Sequence, residues 1–158
     1  MTYELDWESS GRFLASLEDV WEAACREVFP DREPWYNSTL AMRVAQTGKI
    51  RAYVAREDGF IVGWASYQIG ESWFQKGVTA SCVTLFVLPQ HRGGNLGIRL
   101  LRESKDYLIA TEVDRVVCCA SLAGCPETRF RSARAVFRRA GFTPSDEMWE
   151  VTKNGLGH

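Results

Sequence analysis

The sequence predicts a fold that combines helices and strands, α/β (α+β), in which a mixed, mostly antiparallel central sheet is flanked by helices. Three observations predict it. Alternating, strand-like segments are grouped before residue 90, and the later segments alternate between helix and strand. A glycine-rich loop joins the last strand of the first group to an amphipathic helix. The length of 158 residues predicts a single domain over residues 1–158.

Composition and charge restrict the classes of function. Hydrophobic residues make up 46% of the chain and charged residues 25%, and the formal net charge is −1. No global field therefore attracts nucleic acid or an anionic membrane, so electrostatic recognition must be local. The first residues lack a basic region and an apolar run, and no later apolar stretch reaches transmembrane length. We expect a soluble, cytoplasmic protein and leave a homodimer open.

The cysteine pattern agrees with a reducing compartment. The chain has five cysteines, an odd number, with no pair of C-x-x-C motifs. They are Cys25, Cys82, Cys118, Cys119 and Cys125. Reduced thiols are the simplest interpretation, and we expect Cys118 and Cys119 to pack as small buried hydrophobic side chains.

Two helices are expected near the start of the chain. Ser9 or Ser10 can cap a helix whose apolar residues recur at three- and four-residue spacing over positions 13–28. Two prolines then interrupt the chain. A shorter helix is expected over Ser38–Gln46.

Three strands follow these helices. Ile50–Ala55 and Phe60–Tyr67 flank the dipeptide Asp58-Gly59, which is a hairpin signal. The third strand is the apolar stretch that runs through Val83–Leu88 into the glycine-rich loop. We expect the three strands to form an antiparallel meander.

The remaining segments alternate between helix and strand. A helix over residues 95–111 leads to a strand over Arg115–Ala120, parallel to the strand before it. The side chains expected on the buried face of that helix are Leu100, Leu101, Ser104 and Leu108. A last helix is expected over Glu127–Ala140 with Gly141 as its stop, and Glu147–Val151 alternates like a final strand.

The loop after the third strand reads P-Q-H-R-G-G-N-L-G-I over Pro89–Ile98. Such a loop points several backbone N–H groups at one spot beside the positive end of a helix dipole, which suits a phosphate. The nucleotide P-loop would need a Gly-Lys-Ser/Thr ending, and the dinucleotide fingerprint would need an acidic partner about twenty residues on. The Gly-Lys-Ser/Thr ending is missing from the loop, and the loop is not interpreted as the dinucleotide fingerprint. The loop therefore predicts a phosphorylated cofactor of another kind.

Five residues around this loop match one family pattern in order. They are Val87, Pro89, Arg92, Gly93 and Gly97. The pattern, strand-Val-x-Pro-x-x-Arg-Gly-x-Gly-x-Gly-helix, belongs to the GNAT superfamily of N-acetyltransferases, which the chain resembles. The segment from Ala133 through Phe137 to Gly141-Phe142 is also similar to the late helix and strand of that family. The resemblance implies a GNAT fold, with a first strand before the two helices and a β-α-β core that binds acetyl-CoA as cosubstrate.

The resemblance also implies where the cofactor binds. The pyrophosphate would sit on the loop amides, and the pantetheine would pair with the preceding strand, which needs a splayed edge there. The residues implied are Leu85, Phe86, Val87, Arg92, Gly93, Gly94, Asn95, Leu96, Gly97 and Ile98. The amide of Val87 is the implied donor that polarises the thioester carbonyl.

Two positions depart from the family pattern. Asn95 stands where the middle glycine of the loop is usual. Asparagine is the side chain that best tolerates a left-handed backbone after glycine, and the amide donor is retained. Phe137 stands where many members carry a tyrosine that acts as general acid. Because phenylalanine cannot donate a proton, that role is vacant or filled from elsewhere.

A general base is hard to identify. The carboxylate that some members carry early on the third strand is replaced by residues 81–83, Ser-Cys-Val. Glu71, Ser121 and Glu147 remain as candidates for catalysis, with water as a relay. Glu71 could instead be a solvated loop residue, and Ser121 could satisfy backbone groups at a strand end. We expect His91, beside the loop, to be exposed.

Two further groups of residues have more than one interpretation. Arg131, Arg134 and Arg138 share one face of the last helix. That face could be merely solvated, bind the 3′-phosphate of CoA, or bind an acidic macromolecule, and the net charge favours CoA over the macromolecule. Trp35-Tyr36 could line the acceptor site or pack in the core.

Two functions remain open. The first is an N-acetyltransferase that transfers the acetyl group of acetyl-CoA to a primary amine of a small molecule or a protein by direct attack. The alternative is a GNAT-fold binding or regulatory module that retains CoA but performs no chemistry. Phe137 and the missing strand carboxylate motivate the alternative. Membrane partners are not expected, and nucleic-acid binding by the last helix is the weakest hypothesis.

Overall fold

A computed structural model describes residues 2–28, 33–34, 36–71, 76–118 and 127–143. The strands are β1 (Glu4–Glu8), β2 (Ile50–Glu57), β3 (Phe60–Glu71), β4 (Val78–Val87) and β5 (Arg115–Cys118). The helices are α1 (Ser10–Val28), α2 (Ser38–Gln46), α3 (Leu96–Thr111) and α4 (Glu127–Arg139). None of these helices is both long and apolar enough to cross a membrane.

The strands form one mixed sheet in the order β1-β2-β3-β4-β5. The first four strands pair antiparallel, and β5 pairs parallel with β4. The predicted fold class, the meander and the parallel fifth strand are therefore confirmed. Strand β3 runs four residues beyond the predicted end, to Glu71, because it pairs there with the first residue of β4, Val78. The predicted strand over residues 147–151 lies outside the described residues, as do residues 119–120 of the predicted fifth strand.

The hairpin between β2 and β3 turns at the predicted dipeptide. Asp58 and Gly59 have φ values of +50° and +84°, and Glu57 pairs with Phe60 across them. Two successive residues with positive φ are the requirement of a type I′ turn, whose twist matches that of the strands. Aspartate and glycine are among the residues that adopt this conformation most readily.

Helices cover both faces of the sheet. Helix α1 packs on one face, where the core includes Phe13, Leu17, Val54, Trp64 and Phe86. Helix α3 packs on the other face and buries the four side chains predicted for it, from Leu100 to Leu108. Helix α4 packs against α3. The end of β4 thus lies between two helical layers.

Helix α1 is capped by the first of the two candidate serines. The Ser9 carbonyl accepts a hydrogen bond from the amide of Phe13 (3.0 Å), and its hydroxyl lies 3.4 Å from the amide of Arg12. Ser10 is the first helical residue, and its buried hydroxyl donates to the carbonyl of Ile50. The two serines therefore start the helix and attach it to β2.

Candidate active site

A β-bulge at Val83 sets the direction of the second half of β4. Tyr67 of β3 pairs with Cys82 and Ser66 pairs with Thr84, so Val83 is the extra residue. Its side chain is 55% exposed. The residues of β4 that pair with β5 are Thr79 to Cys82, and they thus lie before the bulge. A bulge bends and twists its strand, so it separates the β5-paired start of β4 from the part that leads to the loop.

The ladder fixes where the amides of this second half point. The Leu88 amide donates to the Val62 carbonyl of β3 at 2.9 Å. Backbone groups of successive residues point to alternate sides of an antiparallel strand. The N–H groups of Leu85 and Val87 therefore point away from β3, toward the edge of β4 that pairs with β5 before the bulge. This direction is required of amides that would pair with a pantetheine chain.

Polar side chains fix the strand just beyond the bulge. The Thr84 hydroxyl accepts a hydrogen bond from the Trp64 indole N–H at 2.8 Å and lies 2.7 Å from the Ser66 hydroxyl. Trp64 and Ser66 are buried. Because buried polar groups must be paired, these contacts favour the register in which Thr84 of β4 lies opposite Ser66 of β3.

The end of β4 lies close to β3. A Cβ atom added to Gly63 would lie 3.0 Å from the Phe86 carbonyl oxygen and 3.3 Å from Val87 Cγ2. Glycine at position 63 therefore permits the close approach of the two strands. The backbone of Val87 is positioned by this contact as well as by the ladder.

The loop begins with a 3₁₀ turn over Pro89–His91. The amide of Arg92 donates to the Pro89 carbonyl at 3.2 Å and closes this turn. Gly93 then adopts a left-handed backbone with φ +88°. Asn95 has φ −101° and is the N-cap residue of α3, so its backbone is not left-handed. Gly93 takes the left-handed position because it has no Cβ to clash.

The amides that follow lie at the start of α3. The Arg99 amide donates to the Asn95 carbonyl at 2.9 Å and closes the first turn of α3. The amides of Leu96, Gly97 and Ile98 precede it and have no acceptor within the helix. A Cβ atom at Gly93 or Gly94 would meet no atom of the described residues within 4 Å. Unused amides at a positive helix end beside open space fit a pyrophosphate.

The Arg92 side chain lies along the end of β4. Its Nε donates to the Val87 carbonyl at 2.7 Å, and its two terminal nitrogens each lie 2.6 Å from a carboxylate oxygen of Glu27. Its guanidinium carbon also lies 5.3 Å from the centroid of the Phe86 ring. Glu27, in the last turn of α1, is thus part of the site. The sequence contains no signal for it, because 65 residues separate it from Arg92.

His91 is covered, so the prediction of an exposed His91 is wrong. Its side chain is 9% exposed, and Nδ1 lies 3.7 Å from a carboxylate oxygen of Glu57. The Tyr3 hydroxyl is 3.5 Å from the same nitrogen, and the two rings meet edge to face. Tyr3 immediately precedes β1 and reaches the loop only because β1 joins the sheet.

The candidate catalytic residues are placed as follows. Glu71 is exposed at the end of β3, beside Val78 at the start of β4. Val87 ends β4, roughly 30 Å away at about 3.3 Å per residue. Ser121 and Glu147 lie outside the described residues. The structure therefore does not bring Glu71 together with the loop.

Helix α4 has the predicted orientation. Arg131, Arg134 and Arg138 are exposed. Phe137 is half-buried and its ring lies 6.1 Å from that of Phe142. Gly141 has φ +91° and its amide donates to the Arg138 carbonyl, which ends the helix as predicted. The phenylalanine at position 137 thus has a packing role.

Tyr36 packs on α1. Its ring lies 5.9 Å from that of Trp21, and its hydroxyl donates to the Leu14 carbonyl. Burial is the larger cause that raises the pKa of the Tyr36 hydroxyl, and the nearby Glu18 carboxylate is the smaller one. These contacts favour packing over acceptor binding for Tyr36, while Trp35 lies outside the described residues.

Solved structures share this architecture. An aminoglycoside acetyltransferase from an uncultured soil metagenomic sample superposes with a TM-score of 0.73 at 18% identity, covering 96% of this chain and 99% of its own. A predicted acetyltransferase with acetyl-CoA from Clostridium acetobutylicum gives 0.71 at 13%, covering 99% and 100%. The ribosomal-protein-alanine N-acetyltransferase of Brucella melitensis biovar Abortus 2308 gives 0.69 at 13%, covering 96% and 99%. At such identities the likeness concerns the fold alone.

The sequence itself matches one family. No curated protein is significantly similar to the chain. The family model of the GNAT acetyltransferases matches residues 14–142, a range that includes the bulge, the loop and Phe137. Since the match spans most of its length, the chain belongs to the GNAT acetyltransferase family.

Proposed function

We propose that this chain is an acetyl-CoA-dependent N-acetyltransferase that works as a single domain over residues 1–158. It would transfer an acetyl group to a primary amine by direct attack, without a covalent enzyme intermediate. The observation that carries the proposal is the arrangement at the end of β4. There, strand amides that point away from β3 lead through a loop with open space at Gly93 and Gly94 to the first amides of α3, which have no acceptor within the helix.

The residues present fit the cofactor. The amides over residues 93–98 would hold the pyrophosphate, and those of Leu85 and Val87 would pair with the pantetheine. The Arg92 amide is already bonded to Pro89 and its side chain to the Val87 carbonyl, so Arg92 would act on the site by holding the end of β4. When bound, acetyl-CoA supplies the activated acyl group as a thioester.

The chain would position and polarise the reacting groups. The N–H of Val87 would donate to the thioester oxygen as negative charge develops on it. The side chains of Leu85 and Val87 pack against the core beneath α3, which holds the strand rigid and excludes water from that face. Ser121 and Glu147 remain candidates for deprotonating the amine.

The acceptor is proposed only as a class. Structural neighbours include enzymes described as acting on aminoglycosides and on a ribosomal-protein alanine. Both are amines, which supports an amine of a small molecule or a protein here. Within the described residues, Cys25 and Cys82 are free thiols, and this supports a reducing, cytoplasmic setting.

The second candidate is a module that binds CoA without catalysis. The observation that favours it is Phe137, which packs on Phe142 and has no proton to donate. The core of the fold would be the same in both cases. A turnover measurement therefore has to decide between the two.

The test is release of free CoA from acetyl-CoA in the presence of a panel of amines. The panel contains aminoglycosides, polyamines, amino acids and peptides with free α-amino groups. The N-acetyltransferase proposal predicts release well above background hydrolysis with at least one acceptor, and an acetylated product of matching mass. Tight acetyl-CoA binding with no release above background for every acceptor would favour the binding module.

A further inference from the structure

The Arg92 guanidinium uses all three of its nitrogens within the chain. Nε donates to the Val87 carbonyl at 2.7 Å, while the two terminal nitrogens form a two-pronged pair with Glu27 at 2.6 Å each. Arginine is suited to such a fork, because its five N–H donors have a fixed planar geometry. The positive charge of Arg92 is therefore directed at α1 and β4.

The contact constrains one peptide unit from both ends. The C=O of the Val87–Leu88 peptide accepts from Arg92, and its N–H donates to Val62 at 2.9 Å. The preceding peptide, which carries the Val87 N–H, belongs to the ladder in which Phe86 faces Trp64. The peptide planes on both sides of the Val87 Cα atom are thus held, and together they fix the direction of the Val87 N–H.

We propose that Arg92, held by Glu27, is a positioning residue that aims the Val87 amide at the acyl oxygen of the cosubstrate. The inference rests on the proposed function, and it adds a residue from α1 to a site otherwise built from β4 and the loop. Glu27 keeps Arg92 on the strand, since without a carboxylate partner the guanidinium would be drawn to the pyrophosphate.

Geometry distinguishes this pair from an ordinary surface ion pair. The side chains of Arg92 and Glu27 are 40% and 20% exposed. Those of Arg26 and Glu22, on the same helix, are 65% and 66% exposed. The Arg26–Glu22 pair joins two turns of one helix, whereas the Arg92–Glu27 pair joins α1 to the end of β4. Glu22→Gln is therefore a matched control for Glu27→Gln.

The test is infrared spectroscopy of acetyl-CoA labelled with carbon-13 at the acetyl carbonyl. A hydrogen bond to the thioester oxygen lowers its stretching frequency, so the band of the bound cosubstrate reports on the Val87 amide. Wild type and Glu22→Gln should show the same lowered band. In Glu27→Gln and Arg92→Lys the band should return at least half-way to the frequency of free acetyl-CoA, since Gln and Lys cannot complete the fork.

Affinity, measured by calorimetry on the same proteins, separates positioning from a merely structural role. Glu27→Gln should bind acetyl-CoA as tightly as wild type or more tightly, because Arg92 is then free to contact the pyrophosphate. A lowered band retained in both Glu27→Gln and Arg92→Lys would overturn the inference, as would an affinity loss above about tenfold in Glu27→Gln. Wild-type protein that binds no acetyl-CoA would instead contradict the proposed function and remove the basis of the inference.

Discussion

The hydroxyl groups of Tyr67 and Ser104 lie 2.7 Å apart in the fully buried interface between β3 and α3. Ser104 donates to the Leu100 carbonyl of its own helix, so its oxygen is left to accept the Tyr67 proton. Burial raises the pKa of Tyr67, which keeps the phenol protonated as the donor. This contact attaches the helix that begins at the loop to the centre of the sheet.

Replacing Tyr67 by phenylalanine should lower the free energy of unfolding by about 1 kcal/mol. The ring would still fill its space, and Ser104 would keep its bond to Leu100. Urea denaturation measures the change. Tyr107→Phe is the control, since Tyr107 is 42% exposed, and it should remain within about 0.5 kcal/mol of wild type. Equal effects of the two substitutions would contradict the role given to the buried pair.

Gly63→Ala should destabilise the protein by about 1–3 kcal/mol through overpacking. The new methyl group would meet the Phe86 carbonyl at 3.0 Å and Leu100 Cδ1 at 3.2 Å. Gly70→Ala in the same strand is the matched control, because its methyl group would meet no atom of the described residues within 4 Å. Thermal unfolding compares the two variants. A Gly63→Ala protein as stable as the Gly70→Ala protein would show that the strands can separate freely at this point.

Features set by local chemistry could be predicted from the sequence. The Asp58-Gly59 turn, the serine cap of α1 and the buried face of α3 depend on residues within a few positions of one another. The loop was likewise predicted from its pattern of glycines. In each case the backbone preference and the hydrophobic period agree with the tertiary structure.

Features set by distant contacts could not be predicted. His91 is covered by Tyr3, which is 88 residues away, and Glu27 joins the site through Arg92. The preference of asparagine indicated that Asn95 could tolerate a left-handed backbone, but the residue of the loop with a positive φ is Gly93. The contact of Tyr3 with His91 and that of Glu27 with Arg92 determine the first two, and no local pattern encodes these contacts.

Glu8→Gln should lower the free energy of unfolding by about 3 kcal/mol. Glu8 pairs with Arg56 at 2.6 and 3.0 Å, and the two side chains are 6% and 14% exposed. Removing the carboxylate charge leaves a nearly buried guanidinium without its counter-ion. Glu22→Gln, which breaks an exposed pair with Arg26, should cost at most about 1 kcal/mol. Chemical denaturation of both variants would contradict this account if the two costs were equal.

Stability should decline at high pH partly through Tyr53. Burial, together with the hydrogen bond to Glu103, raises the pKa of Tyr53 from 10.0 to about 12. Between these values the unfolded chain loses the phenol proton while the folded chain keeps it. The free energy of unfolding therefore falls as pH rises through this window. Tyr53→Phe should show a shallower decline than wild type when unfolding is measured across the same pH range, and identical slopes would contradict the assignment.

Binding of acetyl-CoA tests the glycine-rich loop without interference from the unknown acceptor. Gly97 is the second residue of α3, and a Cβ there would lie 3.7 Å from Val87 Cγ2, which is ordinary contact. Aspartate at this position should stabilise the helix start, yet its charge would repel a pyrophosphate. Gly97→Ala is the control, because it adds similar bulk next to the backbone and keeps the amide.

Isothermal titration of acetyl-CoA into wild type, Gly97→Ala and Gly97→Asp is therefore the most direct measurement of the central claim that this loop holds the cofactor. The account predicts binding by wild type, an affinity for Gly97→Ala within about threefold of it, and a loss of at least about tenfold for folded Gly97→Asp. Absence of binding by folded wild-type protein would contradict the claim, as would undiminished affinity in Gly97→Asp.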